Sequence, residues 1–183
     1  MIIGLSGFAG SGKDEVAKIL VEEHEFARAA FADPIRQFLT EINPMVNEHF
    51  NLQSAIDVVG WDNAKKSPEI RRLMQDLGVG ARKLFGEDFW IKQLWEDLAE
   101  TPTIYHVVIS DVRFINEAEA IKKVNGKVIR VVRPGVDAVN SHVSETELDD
   151  YAFDTKILNM GTLDDLRSTV RKLMESLDGN KMH

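Results

Sequence analysis

The stretch GFAGSGKD, residues 7–14, constrains the fold of this chain more strongly than any other feature of its sequence. Its spacing is G-x-x-x-x-G-K. The apolar residues 1–6 precede it and predict a buried strand, and residues 13–24 follow it with apolar side chains at helical spacing. A glycine-rich loop between a buried strand and a helix is typical of α/β proteins that bind phosphates.

Such a loop suits phosphate groups for a physical reason. Gly7 and Gly12 let backbone N–H groups turn inward around phosphate oxygens. The amino terminus of the helix adds partial positive charge, and Lys13 can neutralise the β- and γ-phosphates of a nucleotide. The alternative is a tight strand-to-helix turn that is merely rich in glycine. Gly10 and Ser11 extend the motif and favour the phosphate site.

Two acidic residues are candidates for binding magnesium. Asp14 stands where this loop normally has a serine or threonine ligand, and a carboxylate is also a hard oxygen ligand. Asp111 follows an apolar strand predicted over 104–109, as the magnesium-linked aspartate of phosphate-loop enzymes does. The alternative is that Asp14 charges the start of its helix and Asp111 caps the next turn.

Strands and helices alternate along the rest of the chain, which predicts a three-layer α/β fold with a mainly parallel sheet. The predicted strands are residues 1–6, 26–31, 104–109, 127–132 and 155–158. The predicted helices are residues 13–24, 33–41, 67–85, 89–100, 116–124 and 162–177, with a capping box for a short helix at 144–147. Residues 43–66 give no clear pattern, although Asn43-Pro44 and Gly60-Trp61-Asp62-Asn63 suggest loops. Gly78 and Gly80 are predicted to bend or break their helix.

Composition limits the class of protein. The 183 residues carry a net charge of -8, which argues against a general nucleic-acid-binding protein. The chain contains no cysteine, so disulfides, thiolate metal sites and cysteine nucleophiles are excluded. No apolar run approaches the roughly 20 residues that span a bilayer, and we expect no signal peptide. These features predict a cytoplasmic protein with small-molecule substrates that binds neither nucleic acid nor membrane.

Residues 67–90, SPEIRRLMQDLGVGARKLFGEDFW, suggest a second anionic substrate. Arginine binds phosphate in bidentate fashion, and glutamine can read a base edge. Polar residues of these kinds lie off the apolar stripe of the predicted helix: Arg71, Arg72, Gln75, Arg82 and Lys83. Phe89 and Trp90 either stack on a base or belong to the core.

Several segments, in chain order, resemble the bacteriophage deoxynucleoside monophosphate kinases. They are GFAGSGKDEVAKIL, FADPIRQFL, RRLMQDLGVGARKLFGEDFWI, ISDVRFINEAEAIK, VVRPG with SHVSE, and ILNMGTLDDL. The DVRF-x-NE stretch and the G-K-D loop are the most specific parts. The resemblance implies a three-layer P-loop NTPase fold with a mainly parallel five-stranded sheet, a helical insert that binds the nucleoside monophosphate, and a small lid. It implies transfer of the γ-phosphate of ATP to a deoxynucleoside monophosphate (dNMP), with Mg²⁺ as cofactor.

The resemblance also divides this single domain and assigns roles to residues. The core would be 1–32, 101–133 and 151–183, the insert about 33–100, and the lid about 134–150. Lys13, Asp111 and Arg113 would be catalytic, and Asp14 and Asp111 would lie at Mg²⁺. ATP would contact Gly7, Phe8, Ala9, Gly10, Ser11, Gly12, Lys13, Asp14, Asn159, Gly161 and Thr162. The dNMP would contact Asp33, Arg36, Arg72, Gln75, Arg82, Asp88 and Trp90, and the lid would contribute Arg133, His142 and Ser144.

Two other functions stay open on the sequence. One is a kinase of the same fold with another phosphorylated acceptor, such as phosphomevalonate, because the animal phosphomevalonate kinases share the G-K-D loop. The other is a nucleotide-binding switch without a small-molecule acceptor, against which the arginine-bearing insert and the lid argue. A viral member of the family would act in the host cytoplasm, and a homodimer is compatible with the resemblance.

Overall fold

A computed structural model describes residues 1–101, 106–137 and 147–179 of the chain. Over these ranges the strands are β1 (Ile2–Ser6), β2 (Ala27–Ala29), β3 (Val107–Ile109), β4 (Lys127–Val132) and β5 (Thr155–Leu158). The helices are α1 (Lys13–His24), α2 (Asp33–Ile42), α3 (Leu52–Val59), α4 (Trp61–Ala64), α5 (Pro68–Phe85), α6 (Phe89–Ala99), α7 (Ile115–Lys123) and α8 (Leu163–Gly179). Within the described ranges, no helix combines the length and apolar character needed to cross a membrane.

The five strands form one parallel sheet in the order β2-β3-β1-β4-β5. In its centre, Gly4 of β1 pairs with Ile109 of β3 and with Val128 of β4. Because neighbouring strands are parallel, the loops after β1, β3 and β4 leave the sheet at the same edge, where α/β proteins bind their ligands.

Helices cover both faces of this sheet. Ile3 and Leu5 point to one face, where they belong to a buried cluster with side chains of α1 and α8. Gly4 points the other way, and a Cβ atom there would meet the Ile121 side chain of α7 at 2.5 Å. The predicted three-layer fold and five-stranded parallel sheet are therefore confirmed.

The chain divides into two units, Met1–Ala30 with Thr101–His183, and Phe31–Glu100. The first unit contains the sheet with α1, α7 and α8. The second contains α2 to α6 around a small core of its own, formed by Leu39, Leu52, Ala64 and Ile70.

The glycines of α5 do not interrupt it. The predicted break at Gly78 and Gly80 is wrong, because α5 runs unbroken from Pro68 to Phe85. Gly78 is buried, and a Cβ atom there would lie 3.3 Å from Cδ1 of Ile35 in α2. Its carbonyl accepts a hydrogen bond of 2.9 Å from Nε1 of Trp90. Gly78 therefore permits close helix packing.

Other boundaries also differ from the predictions. Asn43 and Pro44 lie outside the helices, as predicted, but the loop predicted at residues 60–63 is wrong, because α4 begins at Trp61. The stretch that gave no clear pattern also contains α3. The start of α3 is capped by Asn51, whose side chain accepts a hydrogen bond of 2.9 Å from the Ser54 N–H, a signal that sequence reasoning missed. The second strand is shorter than 26–31, and Ala32, rather than Asp33, caps α2. The first part of the strand predicted over 104–109, and most of the capping box at 144–147, lie outside the described residues.

Candidate active site

The loop after β1 has the backbone geometry of a phosphate cradle. Gly7, Gly10 and Gly12 have φ angles of 153°, 84° and 97°, in the region that favours glycine. The Ser11 N–H donates a hydrogen bond of 3.1 Å to the Phe8 carbonyl and closes a turn. A Cβ atom at Gly7 would lie 2.5 Å from the backbone oxygen of Val131 in β4, so a larger residue would displace the loop.

The Ser11 hydroxyl is a polar group for which this part of the fold provides no partner. Ser11 is 1% exposed, and its Oγ has no hydrogen-bond partner among the described residues. An unsatisfied buried hydroxyl costs about 1–3 kcal/mol, so such groups usually meet a ligand or an ordered water. A phosphate oxygen would satisfy this hydroxyl, and the loop therefore fits the phosphates of ATP.

Helix α1 begins directly at the loop. Gly12 is its cap residue and Lys13, which is half-buried, its first residue. The amino terminus of the helix thus faces the loop, where its partial positive charge stabilises an anion. Asp14 is exposed in the first turn beside Glu15, a position that also favours acidic side chains.

A buried carboxylate holds the backbone beyond β3. Glu117 is 5% exposed and accepts hydrogen bonds from the N–H groups of Arg113 at 2.8 Å and Phe114 at 3.1 Å. The Val112 N–H donates to the Leu5 carbonyl at 3.0 Å and fixes the same segment to β1. Glu117 is the final glutamate of the DVRF-x-NE stretch, and these hydrogen bonds explain its presence there. Sequence reasoning gave it no role, because the cap residue three positions earlier is Phe114 and not the serine or threonine of a capping box.

The two candidate magnesium ligands follow neighbouring strands. Asp14 lies in the first turn of α1, after the loop that follows β1, and Asp111, which is half-buried, follows β3. Arg113 is exposed beside it. No group of three or more His, Asp or Glu side chains forms a metal site among the described residues. Mg²⁺ would therefore need phosphate and water oxygens besides these carboxylates, which is how nucleotide enzymes usually bind it.

The loop after β5 contacts the phosphate loop. Nδ2 of Asn159 donates a hydrogen bond of 3.0 Å to the Ser11 carbonyl. Thr162 caps α8, as predicted: its Oγ1 accepts from the Asp165 N–H at 3.2 Å, and its N–H donates to Oδ2 of Asp165 at 2.8 Å. Oγ1 of Thr162 also donates to Oδ2 of Asp165 at 2.7 Å, and this bond, together with that from the Thr162 N–H, lowers the pKa of Asp165. Gly161 is exposed between Asn159 and Thr162.

The lid residues are described only in part. Arg133 is exposed at the end of β4. His142 and Ser144 lie outside the described residues.

Asp33 and Arg36 lie one turn apart at the start of α2, in the second unit. Their side chains form an ion pair of 2.8 Å between Nη1 and Oδ1. Nε of Arg36 is buried and has no hydrogen-bond partner in the described part of the chain. Within the predicted acceptor site, Arg36 therefore has a buried N–H donor to which a ligand could bind.

The remaining predicted acceptor residues lie on or near α5. Arg72 is exposed and forms ion pairs of 2.6 Å with both Glu69 and Asp76, and its bonds to Glu69 raise its pKa. Trp90 is 5% exposed and lies in the core, where it bonds to Gly78. The other three are Gln75 and Arg82, which are half-buried, and Asp88, which is exposed at the cap of α6.

Comparison with known proteins identifies the family. A family model described as deoxynucleotide monophosphate kinase matches residues 45–170. A protein of Acanthamoeba polyphaga mimivirus assigned to that kinase family is 29% identical over 192 residues, covering 93% of this chain and 94% of the relative. The deoxynucleotide monophosphate kinase of Escherichia phage RB69 is 32% identical over 117 residues, covering 62% of this chain and 48% of the relative. The chain thus spans nearly all of the mimivirus relative and about half of the phage relative.

Solved structures share the fold over nearly the whole chain. Shikimate kinase from Aquifex aeolicus is 15% identical, covers 100% of this chain and 99% of its own, and superposes with a TM-score of 0.50. The protein TT1252 from Thermus thermophilus is 16% identical, covers 97% of each chain, and has a TM-score of 0.52. At these identities the likeness shows the fold alone. The resemblance seen in the sequence is confirmed, and the chain belongs to the deoxynucleotide monophosphate kinase family.

Proposed function

We propose that this chain transfers the γ-phosphate of ATP to the phosphate of a dNMP. The geometry of the phosphate loop carries the proposal, with three glycines at positive φ and the buried Ser11 hydroxyl. Membership of the family supplies the acceptor. The loop lies outside the range that the family model matches, 45–170, so donor and acceptor are supported by separate observations.

The phosphate loop and the start of α1 would bind the donor. Backbone N–H groups between Gly7 and Lys13 surround the phosphate oxygens, and the Ser11 hydroxyl donates to one of them. Lys13 neutralises the charge that grows on the leaving ADP as its bond to the γ-phosphorus breaks. Asn159 supports this arrangement through its bond of 3.0 Å to the Ser11 carbonyl.

Asp14 and Asp111 would hold Mg²⁺ beside the triphosphate, since the strands that precede them, β1 and β3, are neighbours. When bound, Mg²⁺ withdraws negative charge from the phosphate oxygens. Arg113 would neutralise charge on the transferring phosphoryl group. Its backbone is already fixed by Glu117, at 2.8 Å, so less freedom would be lost in binding.

The insert would bind the acceptor. Nε of Arg36 is buried without a partner among the described residues and would donate to an acceptor phosphate oxygen. Arg72 would have to exchange an ion pair with Glu69 or Asp76 for the dNMP. Trp90 would support the pocket by holding α5 through Gly78. Further contacts are proposed for Asp33, Gln75, Arg82 and Asp88.

The transfer needs no general base, because the acceptor phosphate is largely dianionic at neutral pH. An oxygen of the dNMP attacks the γ-phosphorus, and the bond to the bridging oxygen of ADP breaks, so the products are ADP and a deoxynucleoside diphosphate. Water must be excluded, since it would compete for the γ-phosphorus. Arg133, His142 and Ser144 of the lid are proposed for this step.

The relatives come from two phages and a giant virus, which supports a site of action in the host cytoplasm. The lack of cysteine suits a reducing compartment.

The proposal is tested by ADP release from Mg-ATP, with dTMP, dGMP, dCMP, dAMP and their ribonucleotide counterparts added one at a time. We expect one or more deoxynucleotides to stimulate release strongly, with the diphosphate formed in equal amount. Lys13→Met should lower turnover by roughly 100-fold or more, because Lys13 stabilises charge in the transition state.

Lys18→Met is the matched control, because Lys18 is 58% exposed on the same helix and pairs only loosely with Glu22 at 3.9 Å. It should leave turnover unchanged. Protein that binds ATP but responds to no dNMP would contradict the proposal and favour another phosphorylated acceptor or a partner protein.

A further inference from the structure

Arg130 of β4 is a nearly buried arginine for which sequence reasoning assigned no role. Its side chain is 11% exposed. Nη1 donates to Oγ of Ser6, the last residue of β1, at 3.1 Å. Nη2 forms an ion pair of 3.0 Å with Oδ1 of Asp149, in the segment that leads into β5. The guanidinium thus connects the start of the phosphate loop with the segment before β5.

The same guanidinium also contacts two aromatic rings. It lies 4.6 Å from the ring centroid of Phe8, the second residue of the phosphate loop, and 5.5 Å from that of Phe153. Both distances fall within the range of cation–π attraction, which strengthens when the cation is shielded from water. Arg130 therefore attracts the Phe8 side chain of the loop.

The backbone of Phe8 takes part in the turn of the phosphate loop. Its carbonyl accepts the Ser11 N–H at 3.1 Å, the bond that closes the turn around the phosphate cradle. Ser6, on the other side of Gly7, bonds to the same guanidinium. We propose that Arg130 is a positioning residue that holds the end of β1 and the start of the phosphate loop, from Ser6 to Phe8, in the shape that binds ATP.

A second ion pair provides an internal comparison. Lys122 of α7 pairs with Asp154, which also accepts the Val128 N–H at 2.8 Å. Like the pair of Arg130 with Asp149, it connects β4 and its surroundings to the segment before β5. Val128 lies near the start of β4, however, and Arg130 near its carboxyl end, where the phosphate loop lies. If Arg130 has only a structural role, removal of either ion pair should have the same effect on ATP binding.

The test compares Arg130→Met, Arg130→Lys, Asp149→Asn and Lys122→Met. Methionine keeps apolar packing between the rings but removes the charge and both hydrogen bonds. We expect Arg130→Met to raise the KM for ATP about tenfold, as loss of a desolvated cation–π contact and its hydrogen bonds would. The KM for the dNMP should change less than about twofold, because the insert binds that substrate.

Arg130→Lys should recover part of the ATP affinity, since lysine keeps a cation near Phe8 but cannot bridge Ser6 and Asp149 together. Asp149→Asn should weaken ATP affinity less than Arg130→Met does. Lys122→Met should lower the melting temperature but leave the KM for ATP unchanged. If Arg130→Met does not fold, Arg130→Lys and Asp149→Asn still test the proposal.

This inference rests on the proposed function, so affinity is also measured without an acceptor, by titration with a fluorescent ATP analogue. If the wild-type protein binds the analogue but phosphorylates no dNMP, the proposed function is wrong. The positioning role of Arg130 is then still tested by the affinity of its variants for the analogue. An unchanged affinity for the analogue in Arg130→Met, or an equal loss in Lys122→Met, would overturn the positioning role.

Discussion

The side-chain amide of Asn159 donates a hydrogen bond of 3.0 Å to the backbone carbonyl of Ser11, a residue 148 positions earlier in the chain. Because a trans peptide points its C=O and N–H in opposite directions, this bond also sets the direction of the Gly12 N–H. Asn159, predicted to contact ATP, thus also shapes the phosphate loop.

Removing that donor should weaken ATP binding. For Asn159→Ala we expect the KM for ATP to rise about fivefold, the value of one neutral hydrogen bond of about 1 kcal/mol. Asn159→Asp should have a larger effect, because a carboxylate oxygen would face the Ser11 carbonyl. The KM is measured with ATP varied at saturating dNMP.

Asn63→Ala is the matched control, since Asn63 also donates from Nδ2 to a backbone carbonyl, that of Val59, at 3.0 Å, but in the second unit. It should not change the KM for ATP. An aspartate variant with wild-type affinity would argue against the role of Asn159.

Gly12 should not tolerate a side chain. Its φ is 97°, and a Cβ atom would overlap the side-chain amide of Asn159. Gly12→Ala therefore combines backbone strain of about 1–3 kcal/mol with a steric conflict at the phosphate cradle, and it should abolish measurable binding of the fluorescent ATP analogue.

Gly80→Ala is the control, and it should stabilise the protein rather than strain it. Gly80 lies inside α5, and a Cβ atom there would have no neighbour within 4 Å. Because alanine is favoured in helices by up to about 1 kcal/mol over glycine, the melting temperature should rise by a few degrees. Retention of ATP-analogue binding by Gly12→Ala would show that the cradle adapts.

Those parts of the fold that depend on local pattern were predictable from the sequence. Helix α1 and strands β4 and β5 have the predicted bounds, because apolar periodicity and flanking glycine or proline mark them. Helix α3, by contrast, is only 8 residues long, which leaves little periodic signal, and its start is marked by the Asn51 cap.

The candidate site was predictable where a motif fixes it and not where the fold brings distant residues together. The spacing of residues 7–13 identified the phosphate loop. Arg130 lies between apolar residues of β4, and its contacts with Ser6 and Asp149 depend on the pairing of β1 with β4 and on the return of the chain to β5. No local pattern encodes such contacts.

Arg72 should affect the acceptor rather than the donor. If it exchanges its ion pairs with Glu69 and Asp76 for a dNMP, Arg72→Ala should raise the KM for the dNMP roughly tenfold through loss of a charged contact, with little change for ATP. Arg71→Ala, at the neighbouring exposed arginine of α5, is the control and should change neither value. Equal effects of the two variants would place Arg72 on a solvated surface.

Asp154 should make the stability of the protein depend on pH. Burial by itself raises the pKa of its carboxyl group, but hydrogen bonds from Lys122 and the Val128 N–H, with the charge of Lys127, outweigh burial and lower it. The folded state therefore favours the carboxylate. Its stabilisation is complete above the pKa of an unfolded aspartate, about 3.9, and is lost as the pH falls through the lower folded value.

We expect Asp154→Asn to be less stable than the wild type at pH 7, and the difference to shrink as the pH falls from about 5 to 3. The free energy of unfolding in urea, measured at each pH, provides this comparison. In a Lys122→Met background the effect of Asp154→Asn should be smaller, because the two variants remove the same ion pair. A difference between wild type and Asp154→Asn that stays constant from pH 7 to pH 3 would contradict the assigned cause, since only loss of the carboxylate charge links this ion pair to pH.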